Sequence, residues 1–599
     1  MSSVSTGGRP EPVGRTVRNA RNLRIATPMP PPSWALLEHA LIRQQEEAVE
    51  AFYDQYFDER GYLLCVPRWG GDDGPDDAAE NFANWPELYA IGASKRVYDL
   101  YRKAWDGHLL QYTEAKTTEV EFARDGMYFK EFPTMFDWMH NGEGFTAFFL
   151  EGLCDPRDKK FVDRTRRFCG FYMGDDPIAD NWIPEHRVIK SMFNGSRGSM
   201  LRKATGLDWA GDSIEVEGRF RLGHGERNYE EMVAHFKDYN DVAGDHPLNM
   251  GVTTMTMNAY MIDGDERYFD WTKEYLDAWV ERTAKNNGII PSNIGLDGSI
   301  GGECGGRWYG GAYGWGFSTI VPQTGETAHR PYFLIRAHWS FGNGLLLTGD
   351  QKYVDTWRGV IDGVNAHSKV EDGRTLYPRM HGDDGWYDYR PEPFDVGAEE
   401  VYYWSMDRRD LERVPMEGWI AFLEGQNPDY PEEALLEDIS TVRSKMERMR
   451  NDKSTPDTRL SDDMNGTNPA AVDALIRLML GGMPTGHLGH PLHCRFRYFD
   501  PARMRPGMPE DVGALVEELQ DDSAVVTLVN TNQVSSRTVT VQGGAYGEHQ
   551  ILEVCDDSGS TAVDGASFTV TLEPGCGSRL RVAMDRYANR PSFDFPWER

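Results

Sequence analysis

The chain has 599 residues, 40% of them hydrophobic and 12% aromatic, so it can bury a large core and is globular rather than disordered. A formal net charge of −32 excludes a broad nucleic-acid or anionic-membrane surface. Seven scattered Cys without a CxxC pair, no apolar run of 18 residues and no apolar leader predict a reduced, cytoplasmic protein without a membrane span.

Residues 1–33 read as an N-terminal arm. Five Arg (9, 15, 18, 21, 24) stand against Glu11 in a Gly- and Pro-rich stretch, and Pro30-Pro31-Pro32 ends it. From Ser33 an N-cap opens a long amphipathic helix carrying Leu37, Leu41, Ile42, Val49, Phe52, Tyr53 and Tyr56 on one face. Helical patterns then alternate with Gly-rich loops, and residues 34–485 form the expected catalytic domain. The loops at 65–80, 173–200, 286–330 and 374–400 exceed the roughly 12–15 residues that a compact domain leaves without a task.

One phrase recurs within this region: Asp158-Lys-Lys-Phe-Val-Asp163, Asp265-Glu-Arg-Tyr-Phe-Asp270 and Asp350-Gln-Lys-Tyr-Val-Asp355. A Gly or Pro turn precedes each copy. Tyr268, Trp271, Tyr275 and Trp279, and likewise Tyr353, Trp357, Ile361 and Val364, recur at helical steps behind the last two. Repeated helix openings at long, unequal intervals predict helical hairpins with variable loops, arranged as an α/α toroid. After Pro484 the pattern changes to short alternating segments, including Val525–Val529, Ile551–Val554, Phe568–Leu572 and Leu580–Val582. These predict an antiparallel β-sandwich over 486–599.

Asn84-Trp85-Pro86-Glu87-Leu88-Tyr89 looks like part of an early toroid helix, and Leu572-Glu-Pro-Gly575 with Leu580-Arg-Val582 looks like the last hairpin of an appended sandwich. Across roughly residues 35–585 the chain thus resembles the (α/α)6-toroid carbohydrate-active enzymes, both glycoside hydrolases and polysaccharide lyases. The resemblance implies sugar chemistry and leaves the reaction open. It assigns no catalytic residue, because no single family's motif is matched.

Candidate site residues cluster in the loops. Trp69 with Asp72 and Asp73 offers a ring for a sugar face beside adjustable carboxylates; Asp76-Asp77 reads as their solvated continuation. His140 and Glu143 combine an imidazole and a carboxylate at a helix opening. Arg197, in Asn194-Gly-Ser-Arg, can grip hydroxyls or a carboxylate. The segment Gly301–Trp315 interleaves seven glycines with Glu303, Arg307, Trp308, Tyr309 and Trp315, a mixture suited to a saccharide subsite. Cys304 could act as in the β-L-arabinofuranosidase-like toroid enzymes, but their clustered partner cysteines are absent. His381–Arg390 adds Trp386, Tyr387, Tyr389 and Arg390. His487, His490, His493 and Cys494 have zinc-ligand chemistry without a distant matching pair, and read as a polar domain junction.

The sequence therefore predicts an enzyme acting on an oligosaccharide, with no cofactor, metal, nucleic acid or membrane partner. Glycoside hydrolysis is favoured, with Glu303 or Glu143 protonating the glycosidic oxygen and Asp72 or Asp73 activating water or attacking the sugar. In the elimination alternative His140 or Tyr309 removes the C5 proton of a uronate while Arg307 or Arg390 neutralises its carboxylate. Epimerisation and non-catalytic sugar binding are the further alternatives.

Overall fold

The computed structural model describes residues 22–69, 74–118, 120–202, 204, 208, 242–311, 313–316, 318–320, 327–329, 338–557 and 559–599. Its helices are α1 (Ser33–Tyr56), α2 (Pro75–Glu80), α3 (Trp85–Ile91), α4 (Lys95–Glu114), α5 (Trp138–Leu150), α6 (Lys159–Gly170), α7 (Val252–Asp263) and α8 (Glu266–Lys285). They continue with α9 (Ser340–Thr348), α10 (Lys352–Asn365), α11 (Ala398–Ser405), α12 (Arg408–Leu411), α13 (Gly418–Leu423), α14 (Tyr430–Asn451) and α15 (Asp473–Leu480).

Two kinds of helix alternate. Among the described residues α3, α5, α7, α9, α11 and α15 are buried on most or all sides, as helices inside a domain are. The helices between them bury one stripe: Tyr268, Trp271, Tyr275 and Trp279 in α8, and Tyr353, Trp357, Ile361 and Val364 in α10. Contacts between α1 and α14 close the ring. The architecture is the predicted α/α toroid. None of its described helices is long and apolar enough to cross a membrane.

The repeated phrase has a local cause. Asp158, Asp265 and Asp350 each accept a first-turn backbone N–H, from Lys160 and Phe161, from Arg267 and from Lys352. Three residues later Phe161, Tyr268 and Tyr353 are buried. Gly264 (φ 72°) and Gly349 (φ 70°) adopt the left-handed conformation that ends α7 and α9 just before the second and third copies. Each copy starts an outer helix.

The C-terminal strands form two five-stranded sheets. They are β2 (Phe496–Asp500), β3 (Arg505–Pro506), β4 (Val512–Leu519), β5 (Ser523–Asn530), β6 (Arg537–Gly543), β7 (Gln550–Asp556), β8 (Gly559–Gly565), β9 (Ser567–Leu572) and β10 (Gly577–Asp585). One sheet has the order β4-β5-β10-β7-β8. The other is completed by β1 (Asn22–Ile25), in the order β1-β9-β6-β2-β3, with β1 parallel to β9 from Asn22↔Thr569 to Ile25↔Leu572. Four residues of the expected arm are thus an edge strand.

Between α15 and β2 the chain runs through the toroid. Thr485 Oγ1 donates to Glu87 of α3 (3.2 Å), and the Gly489 N–H donates to Thr146 Oγ1 of α5 (2.9 Å). The His490 ring lies 4.5 Å from Trp339, and the His493 ring 5.6 Å from Trp404 of α11. The Leu492 N–H then donates to the Tyr546 hydroxyl in the sandwich (3.0 Å). Gly142 permits this passage, since a Cβ there would stand 2.5 Å from the Leu488 carbonyl oxygen. Residues 485–493 therefore plug the lumen, where the sequence suggested an extended junction between domains.

Candidate functional site

Among the described residues the connections leading into α5 and α11 are long (120–137, 366–397), and those leaving α3, α7, α9 and α11 are short (92–94, 264–265, 349–351, 406–407). Long connections therefore lie at the N-terminal ends of α5 and α11, and titratable groups gather there.

Asp137 caps α5. Its Oδ1 accepts the N–H groups of Met139 (2.9 Å) and His140 (3.2 Å), and its Oδ2 lies 2.7 Å from His140 Nδ1. Glu143 follows one turn later, on the same helix face as His140. Helix α2 approaches at this level because Gly144 leaves room; a Cβ there would stand 3.3 Å from Asp76 Cα. Asp76 and Glu80, four residues apart, share one α2 face. Donor atoms of Asp76, His140 and Glu143 lie within 4.8 Å of one another, and among the described residues this is the one group close enough to hold a cation.

Charge decides what this group does. Asp76 is only 3% exposed, and neither carboxylate oxygen has a hydrogen-bond partner beyond its own residue. Burial, relieved by His140 and reinforced by Glu143, pushes its carboxyl well above the usual range. Burial and then the Glu143 charge push Glu80 up to about 8. Burial alone would strip the proton from His140; the Asp137 carboxylate reverses this, with Asp76 and Glu143 adding to it, and raises the ring to about 10. A ring so held carries a proton on both nitrogens, with Nδ1 facing Asp137. The cluster reads as proton-sharing.

A stability prediction follows from the sign of the His140 shift. The folded pKa exceeds the free value of 6.5, so this stabilisation is complete below about pH 6.5 and lost as pH rises toward 10. Asp137→Asn removes its main source. The gap in melting temperature between wild type and Asp137→Asn should narrow steadily from pH 6.5 to 10. A gap that stays constant over that range would contradict the pairing.

Glu80 also borders a polar cavity of about 280 Å³, with Asp438, Lys445, Asp473 and His487 on its walls. Asn465 Nδ2 donates to Glu80 Oε2 (2.9 Å). Burial and then Asp473 push the Asp438 carboxyl up to about 7. A second group involves the lumen plug. His338 Nε2 lies 3.1 Å from Glu400 Oε1 at the start of α11. Burial would raise Glu400, but the adjacent His338 holds it at about 2. His490 is pushed down to about 3 by burial and then by His338.

The two aromatic loops meet at the rim. Arg307 Nη1 (3.3 Å) and the Tyr309 hydroxyl (3.1 Å) both donate to Asp383 Oδ1. Trp308 and Tyr309 pack at 4.5 and 4.6 Å on His381, and Trp386 packs on Trp308, Trp315 and His381. Tyr387 is half-buried in the same hairpin. Glu303 is exposed, accepting the Leu296 N–H (3.2 Å). Tyr389 donates to the His367 carbonyl, and Arg390 pairs with Asp388.

Elsewhere, Trp69 is buried and donates to the Asp208 carbonyl (2.7 Å). Arg197 lies over the Phe129 ring at 4.2 Å, beside a separate cavity of about 480 Å³. Asp72 and Asp73 lie outside the described residues. Asp76 is not the solvated turn that the sequence suggested, while Asp77 Oδ2 accepts the Gly74 N–H (2.8 Å) and so closes the α2 N-terminus. Asp76, Glu80, His338 and Glu400 were not singled out from the sequence. The spacing of Asp76 and Glu80 behind Pro75 was a signal for the first pair; the second pair left none.

The fold and this cluster define a helical toroid with a buried carboxylate–imidazole centre. The chain belongs to the family described as a domain of unknown function (DUF8034), whose match covers residues 22–379 and 415–476. No curated protein matches it. Among solved structures it is similar to a cellobiose 2-epimerase from Bacillus thermoamylovorans B4167, at 10% identity over 63% of this chain and 85% of that one, with a TM-score of 0.32. It is also similar to a D-mannose isomerase (11%, 72% and 97%, TM-score 0.34). The GH76A α-1,6-mannanase from Salegentibacter sp. HEL1_6 is a third (11%, 72% and 98%, TM-score 0.30).

Proposed function

We propose that this protein is an enzyme acting on a saccharide, and that it cleaves a glycosidic bond by acid–base chemistry at the α2–α5 cluster. One observation carries the reading: Glu80 keeps its proton to about 8 next to Glu143, and Glu143 adjoins the His140 imidazolium. A carboxylic acid beside a carboxylate is what acetal hydrolysis needs, one to protonate the leaving oxygen and one to attack or to activate water. Glu80 is the acid and Glu143 the carboxylate. His140, fixed by Asp137, is a positioning residue that holds the Glu143 charge, and Asp76 is the inner proton store. At the rim, Trp308, Tyr309, Trp386 and Tyr387 offer faces to sugar rings, with Arg307 and Asp383 for hydroxyls. His140 is a poor base for β-elimination, because its proton is retained to about 10.

A second reading rests on the His338–Glu400 pair and the neutral His490. Imidazoles in two protonation environments suit removal and return of a C–H proton, as epimerisation or isomerisation demands. Solvent labelling separates the two. In oxygen-18 water, hydrolysis places label at the new anomeric position during cleavage; in deuterium oxide, isomerisation places deuterium on carbon without cleavage. Deuterium on carbon with an intact glycosidic bond would overturn the hydrolytic reading, and neither label across an oligosaccharide panel would remove enzymatic turnover altogether.

A further inference from the structure

Among the described residues Arg495 is the one cation whose side-chain nitrogens are all buried and without a hydrogen-bond partner. It stands where the lumen plug enters the sandwich, with its backbone N–H on the Leu480 carbonyl (3.1 Å) and its carbonyl accepting from Gly544 (2.9 Å). The side chain is 0% exposed, and Nε, Nη1 and Nη2 all lack a hydrogen-bond partner. A guanidinium stays charged in a protein and carries five N–H donors. The guanidinium lies over the Tyr403 ring, 4.8 Å from Cζ to the ring centre.

The surroundings deepen the imbalance. His493, His549 and Arg586 all lie close enough for their charges and that of Arg495 to act on one another. Both His493 ring nitrogens are buried without partners. His549 Nδ1 accepts the Tyr587 N–H (3.1 Å), and Arg586 is committed to the last carbonyls of α11 and to Asp521. Asp521, the carboxylate acting on Arg495, is 79% exposed in its side chain and already paired with Arg586. Glu400, which acts on His493, is paired with His338. Buried cations are normally balanced by a hydrogen-bonded partner, and the described residues supply none to Arg495.

We propose that a small inorganic anion, of the size and charge of chloride, is enclosed between the toroid and the sandwich, held by Arg495 with His493 as a further N–H donor. The aromatic rings of Tyr403, Trp404 and Tyr587 around it are buried, so the occupant is sealed in and a compact ion fits better than an organic acid. Such an ion would tie the last turn of α11, through Tyr403, to the strands of the sandwich.

The test uses the full chain. Long-wavelength anomalous diffraction from crystals grown in sodium chloride detects the ion directly. A peak within hydrogen-bond reach of the Arg495 guanidinium is expected; a sulfur-strength peak from sulfate-grown crystals at the same place would identify an oxyanion in the same role. In parallel, melting is followed at constant ionic strength while chloride replaces gluconate. Wild type should gain stability with chloride, because the ion binds the folded state alone. Arg495→Met, which removes the uncompensated charge, should lose that dependence while melting in gluconate at or above the wild-type temperature. No peak at the guanidinium, together with equal chloride responses in wild type and Arg495→Met, would overturn the proposal.

Discussion

Replacing Glu143 by Gln should lower turnover of a saccharide substrate by roughly 10²–10⁴-fold, the span that one positioned proton-transfer group commands. The change keeps the shape of the side chain and removes its charge, so substrate affinity should move little. Glu80→Gln should cost a similar factor and carry an additional signature. The acid must be protonated to work, so wild-type activity should fall as pH rises through about 8, and the variant should lose this alkaline limb. Initial-rate profiles from pH 5 to 10 measure both effects. Turnover and pH limbs unchanged in both variants would return the α2–α5 cluster to a structural role.

Deleting residues 486–599 should abolish folding of the toroid rather than release it as a separate domain. The plug occupies the space into which α3, α5, α9 and α11 direct buried groups, and its loss would open that lumen to water. A gentler probe is Gly142→Val. The added branch would overlap the Leu488 carbonyl, which a Cβ already approaches to 2.5 Å, at a cost of about 1–3 kcal/mol or more. Calorimetry of the point variant and solubility of the truncation are the measurements. A soluble truncation that melts like the intact protein would show that the lumen does not need its plug.

Legibility of the fold followed the range of the interactions involved. The Asp-x-(Lys/Arg)-aromatic-x-Asp copies could be read because cap and buried ring lie three residues apart, so cause and effect share one turn of helix. The sandwich was readable because strand alternation is equally local. Asp76 and Glu80 were obscured by a different physics. Their meaning depends on α5, some sixty residues away, and on a glycine at 144 whose missing side chain brings the helices together. His338 and Glu400 meet across 62 residues with no pattern in either segment. The plug was harder still, because Gly-rich polar chain looks the same inside a lumen as on a surface. At the rim the sequence had identified both aromatic loops, and Asp383 is the residue that joins them.

The pairing of β1 with β9 has a consequence in time. Strand Asn22–Ile25 leaves the ribosome long before its partner Thr569–Leu572, which lies more than 500 residues further along the chain. At about 5–20 residues per second the wait is roughly half a minute to two minutes. Over most of that interval the inner helices also face a lumen whose filling, residues 485–493, has not been synthesised. Domains usually fold as they emerge, N-terminal part first. Here both strand β1 and the helical ring depend on residues beyond 485, so the native structure is completed only once the sandwich has been made. Until then the apolar faces of the nascent helices must be kept from their neighbours, and a premature stop anywhere before the sandwich yields a protein with an unpaired strand and an empty centre.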